Sequence, residues 1–255
     1  MGSACNSDYN LDNLTNTWNL GNYYVVGGSG RVINPATASI LEGLAGRAQA
    51  LGYKIVHDGS DNVQSSLELL ASAAVGVLCG ATTTTEGADR ESLVVDQEEF
   101  IAGVLAGKAG DVPVVVALNT PGPVLTDWRG RANGLVNMFL AGQETGRAWA
   151  DVLFGDVNPS GRLPVTFPAA LSDTIPPCTT PECPYSEGLF VGYRALTGRP
   201  VAFPFGHGLS YTQFNYTWVQ LPKTQDCANG VVCMEVRVSN VGGRDGHEVV
   251  QVYVD

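Results

Sequence analysis

The 255-residue chain carries 14 Lys and Arg against 25 Asp and Glu, a formal net charge of −11, and only 15% of its residues are charged. That balance excludes a partner recognised through its phosphates, such as DNA or RNA, because phosphate recognition needs basic patches; it also works against an anionic membrane surface. Apolar residues make up 44%, enough for a sizeable core, and no apolar run reaches the roughly 18 residues of a membrane span.

The first residues, Met1-Gly2-Ser3-Ala4-Cys5, lack the basic and apolar stretches of a secretory signal. The start therefore reads either as cytosolic or as the interior of a longer chain. From about residue 35 to 167 helix and strand signals alternate. Ile40, Leu41, Leu44, Ala48 and Leu51 recur at helical spacing, and Gly52 closes that helix. Residues 53–57 read as a short strand. Asp61 is placed to cap a helix carrying Val63, Leu67, Leu70 and Ala74 on one face. Residues 75–79 read as a buried strand. Asp96, Glu98 and Glu99 open a helix with Phe100, Ile101, Val104 and Leu105, where negative charge suits the helix dipole. Residues 112–118 and 134–140 read as strands, and residues 144–154 as a helix stopped by Gly155.

Such an order implies an α/β fold, a mostly parallel sheet covered by helices on both faces, over residues 1–168. From 169 to 213 the pattern dissolves into Pro, Gly and aromatics, an irregular linker packed on the sheet domain. From 214 to 255 three segments (214–221, 231–238 and 249–254) alternate like strands of an antiparallel β-sandwich. Three strands do not close a sandwich, so this second unit reads as truncated.

The six cysteines favour an oxidising compartment. Cys178 and Cys183 bracket a Pro-rich loop, and Cys227 and Cys233 bracket a turn around Asn229-Gly230, spacings that suit local disulfides. Zinc is disfavoured, because these gaps lack a nearby His. Cys79, in an apolar run, reads as a buried thiol, and Cys5 as a cysteine without its partner. Asn13 and Asn215 each stand in a glycosylation triplet. Together these features point to the secretory pathway or the extracellular space.

In an open parallel sheet, ligands bind beyond the carboxyl ends of the strands. That rule selects two loops, residues 80–90 and 119–128. The first holds Glu86 beside a flexible glycine, followed by Asp89 and Arg90. A carboxylic acid on a loop at a cleft edge is a candidate proton donor, and an Asp89–Arg90 pair would shape the field around it; the plainer reading is a solvated acidic loop. Gly27-Gly28-Ser29-Gly30 matches neither a P-loop nor a dinucleotide fingerprint and reads as a tight turn where backbone approaches a ligand, or as a structural turn. His57, His207 and His247 stand apart, with no nucleophile elbow, so nothing indicates a Ser-His-Asp triad. His207 reads as a structural loop residue.

Residues 151–168 (DVLFGDVNPSGRLPVTFP) resemble a signature of glycoside hydrolase family 3, near the end of its α/β sandwich domain. Residues 185–194 (YSEGLFVGYR) and 204–211 (PFGHGLSY) look like the next two signatures, and 238–242 with 248–253 like the start of its fibronectin type III-like domain. The resemblance implies a retaining exo-glycosidase that removes β-linked glucose or xylose. Such chemistry needs a nucleophile and an acid/base about 5–5.5 Å apart. In the family the nucleophile is an Asp on an N-terminal TIM barrel and the acid/base a Glu in a Glu-Gly-x-Asp-Arg run. Glu86-Gly87-Ala88-Asp89-Arg90 matches that run.

The resemblance thus implies Glu86 as acid/base, with Asp89 and Arg90 beside the substrate and Ser29 at a position that in some members faces the sugar. It also implies a proton affinity of Glu86 raised by the nearby nucleophile. No barrel and no nucleophile lie in these residues, and the first strand of the sheet domain is expected to be missing. The expected partners are an oligosaccharide or β-glycoside and the barrel of the same parent chain; neither metal nor organic cofactor is implied. The isolated chain is expected to be inactive. A non-catalytic carbohydrate-binding or interaction module derived from the family is the alternative. An N-acetylglucosaminidase fits less well, because such enzymes usually keep the acid/base on the barrel.

Overall fold

The computed structural model describes residues 1–7, 19–33, 36–224, 227 and 232–253. Three parallel strands form the central sheet: β1 (Gly76–Ala81), β2 (Val114–Asn119) and β3 (Gly134–Asn137), in the order β1-β2-β3. The register runs from Gly76 opposite Val114 to Ala81 opposite Asn119, and from Val115 opposite Gly134 to Leu118 opposite Asn137. Successive strand side chains point to opposite faces, and the two cores divide accordingly. Leu78, Val114, Val116 and Leu118 pack with Leu70 of α2 (Val63–Leu70) and with Ile101, Val104 and Leu105 of α3 (Glu98–Gly107). Cys79, Ala81 and Ala117 pack with Ile40 and Leu44 of α1 (Ile40–Leu51) and with Trp149 and Ala150 of α4 (Thr145–Leu153). The sheet is therefore buried on both faces, which explains why its strands read as near-continuous apolar runs.

Local signals set the helix ends. Ser39 and Glu42 form a reciprocal capping box at the start of α1: the Ser39 amide donates to Glu42 Oε2 at 2.7 Å and the Glu42 amide to Ser39 Oγ at 3.1 Å. Gly52 ends the helix in the left-handed region at φ 76°. The cap of α2 is Asn62, whose side chain accepts from the Ser65 amide, and not Asp61. Asp61 instead accepts from the Ser3 amide at 2.8 Å and the Ser3 hydroxyl at 2.7 Å. The demand of the N-terminal segment for an acceptor outweighs the capping preference there.

Two further expectations change. Residues 53–57 are not a strand. The outer edge of β1 is held by Met1, which donates to Val77 O at 2.8 Å and accepts from the Cys79 amide at 3.1 Å. Among the described residues, the segment after residue 57 meets the N-terminal segment through the Gly2 amide and Asp58 O, and residues 53–57 form no ladder with a strand. Cys79 is not a free thiol and Cys5 does not lack a partner: the two form a buried disulfide across 74 residues. Cys178–Cys183 and Cys227–Cys233 are disulfides as expected.

Beyond the sheet domain, β4 (Phe167–Pro168) and β5 (Val201–Phe203) form a short antiparallel pair, with the one-turn helix α5 (Tyr193–Leu196) between them in sequence. β6 (Phe214–Lys223) and β7 (Cys233–Asn240) form a second antiparallel pair. No strand forms among the described residues 241–253. That segment turns back on the linker instead, where the Tyr253 ring meets Tyr193 and Phe205. Arg162 of the sheet domain holds this region through an ion pair to Glu248 and a bond to Gly208 O, and Tyr216 also donates to Glu248. Asn215 is exposed on β6; Asn13 and the Asn229-Gly230 turn lie outside the described residues. No helix among the described residues is long and apolar enough to cross a membrane.

The α1–α4 contact is a backbone-on-backbone crossing. A Cβ built on Gly43 would lie 2.8 Å from Gly146 Cα and nearer still to its carbonyl. Gly46, one turn along the same helix, faces open space. We expect Gly43→Ala to cost about 2–3 kcal/mol through forced separation of the helices. Gly46→Ala should stabilise by about 0.5–1 kcal/mol through helix propensity. Urea midpoints of the two variants check this; shifts in the same direction would refute the close-packing account.

Candidate active site

Chain leaving β1 and β2 at their carboxyl ends forms one edge of the molecule. The loop after β1 climbs through Thr82, whose amide donates to Asn119 O at 3.2 Å, to a tight turn closed by the Thr85–Ala88 bridge. Glu86 and Gly87 are the tip of that turn. Gly87 takes φ 81°, which requires glycine in a turn of this hand. Glu86 is exposed.

The Gly-rich loop lies along this turn by main-chain bonds: the Gly27 amide to Thr84 O at 2.9 Å and the Glu86 amide to Gly27 O at 3.3 Å. Thr85 Oγ1 donates to Asn19 O from the same side. Gly28 adopts φ 90°, and a Cβ there would sit 2.8 Å from Glu86 Oε2. Only glycine lets the backbone come this close. The next residue, Ser29, delivers its amide to Glu86 Oε2 at 2.7 Å and its hydroxyl to the same oxygen at 2.6 Å.

These bonds set the electrostatics of Glu86. The Ser29 hydroxyl, then the Ser29 amide, hold the carboxyl below its ordinary range, against a slight opposing effect of burial. A raised proton affinity was expected from the resemblance. Within this chain the neighbours of Glu86 are hydrogen-bond donors, which lower its proton affinity; the expected raise belongs to the barrel nucleophile, which lies outside these residues.

Ser29 and Glu86 are thus brought together across 57 residues of sequence. Asp89 is exposed on the same turn. The expected Asp89–Arg90 pair does not form: ion pairs among the described residues are Arg47–Asp156, Arg147–Glu144 and Arg162–Glu248. Arg90 is half-buried and donates through Nη2 to Pro123 O at 3.3 Å, tying the loop after β1 to the loop after β2. Burial pushes its guanidinium down, and Asp96 works against that. The Leu125 amide, bonded to Leu93 O at 2.8 Å, ties the same two loops.

Beside the Glu86 turn lies an open cleft of about 640 Å³. Thr82, Arg90, Asp96, Gln97, Glu98 and Glu99 are among its walls, and Glu86 is not. Sequence reading treats Asp96 only as a helix-opening acid; its further role appears in three dimensions. Tyr23 donates to Asp96 Oδ2 at 2.7 Å and accepts from Gln97 Nε2 at 3.3 Å, while Gln97 Oε1 takes the Ala81 amide at 2.9 Å. Burial, with the bond to Asp96, pushes the Tyr23 phenol up to about 12. This network fixes the start of α3 against the end of β1. His207 is a loop residue, its amide bonded to Pro204 O and its carbonyl to the Leu163 amide.

The family model of the Glycosyl hydrolase family 3 C-terminal domain matches residues 8–211. The chain belongs to this family. It is 43% identical over 182 residues to a beta-glucosidase of Rhizobium radiobacter, covering 67% of this chain and 22% of that protein. It is 36% identical over 216 residues to thermostable beta-glucosidase B of Acetivibrio thermocellus, covering 80% of this chain and 28% of that protein. The chain therefore spans about a quarter of the length of these curated relatives. Among solved structures, beta-glucosidase D2-BGL from Chaetomella raphigera matches 96% of this chain and 38% of its own, with TM-score 0.82 and 26% identity. Beta-glucosidase 3B from Thermotoga neapolitana, solved in complex with glucose, matches 88% of this chain and 37% of its own, with TM-score 0.68 and 31% identity.

Proposed function

We propose that this chain is the acid/base-bearing part of a retaining β-glucoside hydrolase, working within a longer enzyme whose nucleophile stands on a separate barrel. The observation that carries the reading is the placement of Glu86. It is an exposed carboxyl on a turn of the Glu-Gly-x-Asp-Arg form, at the carboxyl edge of a parallel sheet where such folds bind ligands. Beta-glucosidase relatives at 43% and 36% identity support glucose as the sugar. Three disulfides support an oxidising compartment for the finished protein.

In the proposed reaction Glu86 gives its proton to the glycosidic oxygen as the barrel carboxylate attacks the anomeric carbon. The C–O bond to the leaving group breaks, and a glycosyl ester forms. Glu86, now a carboxylate, takes a proton from water as that water attacks the same carbon, returning both carboxyl groups to their starting states. Two displacements give net retention. Hydrolysis of an aryl β-glucoside by the longer enzyme, followed by proton NMR of the anomeric signals, should show the β-anomer first. The α-anomer as first product would overturn the retaining reading.

A further inference from the structure

We propose that Ser29 is the positioning residue of the Glu86 carboxyl, fixing one oxygen so that the other exchanges the proton. This rests on the acid/base reading of Glu86 and deepens it. Both Ser29 donors, amide at 2.7 Å and hydroxyl at 2.6 Å, end on Oε2. Oε1 accepts from no donor among the described residues. Two bonds to one oxygen set both the rotation of the carboxyl plane and the identity of the free oxygen, which matters because a misplaced proton donor loses rate steeply. The arrangement is built, not incidental. Gly28 is held at φ 90° directly against Glu86, and main-chain bonds from Gly27 lock the two loops in register.

The same bonds act in both half-reactions, with opposite effects on the two proton transfers. Donors on Oε2 favour the carboxylate, so they weaken the hold of Glu86 on its proton and make it the stronger acid in the first step. After the transfer they keep Glu86 ionised for the second step, where the same lowered proton affinity makes it the weaker base. Other charged side chains on the two packed segments are Arg31 on the Gly-rich loop and Asp89 and Arg90 on the turn. None forms an ion pair with Glu86 among the described residues, and Arg90 leans to Pro123 O. The shift of Glu86 thus originates in Ser29.

The test is a carboxyl-carbon NMR titration of Glu86 in the 255-residue chain, as it stands and as Ser29→Ala and Ser29→Thr. Ser29→Ala removes the hydroxyl donor and keeps the amide, so the Glu86 midpoint should move to higher pH. Ser29→Thr should restore it, because threonine keeps a hydroxyl on the same carbon. Coincident midpoints for all three overturn the inference, whatever Glu86 does in catalysis. In the longer enzyme, Ser29→Ala should cost about tenfold in kcat/KM on an alkyl glucoside and move the alkaline limb of its pH profile upward. An equal loss on alkyl and dinitrophenyl glucosides with an unmoved limb would make Ser29 a sugar contact only, and would also overturn the inference. Glu86→Gln in the same assays is the control: if it fails to discriminate between leaving groups, the acid/base reading fails by itself, and the titration still decides the Ser29–Glu86 coupling.

Discussion

Glu86→Gln in the longer enzyme should lower kcat/KM on an alkyl β-glucoside by about 10²–10⁴-fold, the usual range for loss of a positioned general acid. The substitution is conservative in shape. A Gln carbonyl can still accept both Ser29 donors now bonded to Oε2, so the turn should keep its conformation. Only the transferable proton is lost. An alkyl leaving group departs as a strong base and needs that proton in the transition state. A dinitrophenolate departs unaided, so kcat/KM on the dinitrophenyl glucoside should fall far less. The second step then becomes limiting, because no carboxylate remains to deprotonate water. A glycosyl-enzyme burst should appear, and azide, which attacks without a base, should restore turnover. Equal losses on both substrates, with no burst and no azide response, would remove Glu86 from the acid/base role.

Much of the frame around this residue is legible in the sequence, because local rules govern it. The Ile40, Leu44 and Ala48 stripe and Gly52 define α1 from local spacing. The apolar run Val114 to Leu118 becomes a strand because it is buried on both faces. The position of Glu86 beyond β1 follows from the same pattern. What the sequence does not reveal depends on neighbours distant along the chain. Residues 53–57 and the described residues 249–253 read as strands in the sequence, but a strand exists only where another edge accepts its bonds. The edge of β1 is taken by Met1 and β2. Asp61 has the chemistry of a cap and is engaged by Ser3.

The candidate site divides in the same way. Glu86, Asp89 and Arg90 are adjacent in sequence, which suggests a local pair; the chain instead sends Arg90 to the next loop. Ser29 is identified as a site residue only through the family resemblance, and its bond to Glu86 spans 57 residues. One signal was available: Gly27-Gly28 immediately before a hydroxyl residue allows backbone approach, as Gly28 at φ 90° against Glu86 demonstrates. The Tyr23–Asp96–Gln97 network had no such mark, since Asp96 is equally at home as a plain helix-opening acid.

The Cys5–Cys79 disulfide should be the largest single stabiliser among the three. Spacing rules find Cys178–Cys183 and Cys227–Cys233, which close loops with separations of 5 and 6 residues. Cys5–Cys79 closes 74. By the loop-entropy relation the short bridges contribute about 2 kcal/mol each and the long one about 4 kcal/mol. Replacing both Cys5 and Cys79 by Ala also leaves space where two buried sulfurs stood, at 3% and 0% exposure, which adds a cavity cost. We expect the double variant to lose about 10 °C in Tm. The Cys178→Ala, Cys183→Ala double variant, on an exposed loop, should lose less than half as much. Scanning calorimetry of the two variants decides it, and equal losses would refute the ranking. The consequence reaches the site. Cys79 stands in β1 directly below the loop that bears Glu86, and Cys5 anchors the segment whose Ser3 joins Asp61 and Gln97 beside the cleft. A buried disulfide is reduced only on opening, so a mild reductant should cut the exposed bridges first and leave the Glu86 turn in place. Cleavage of Cys5–Cys79 should coincide with cooperative unfolding, observed as simultaneous loss of near-UV circular dichroism and appearance of the last pair of titratable thiols.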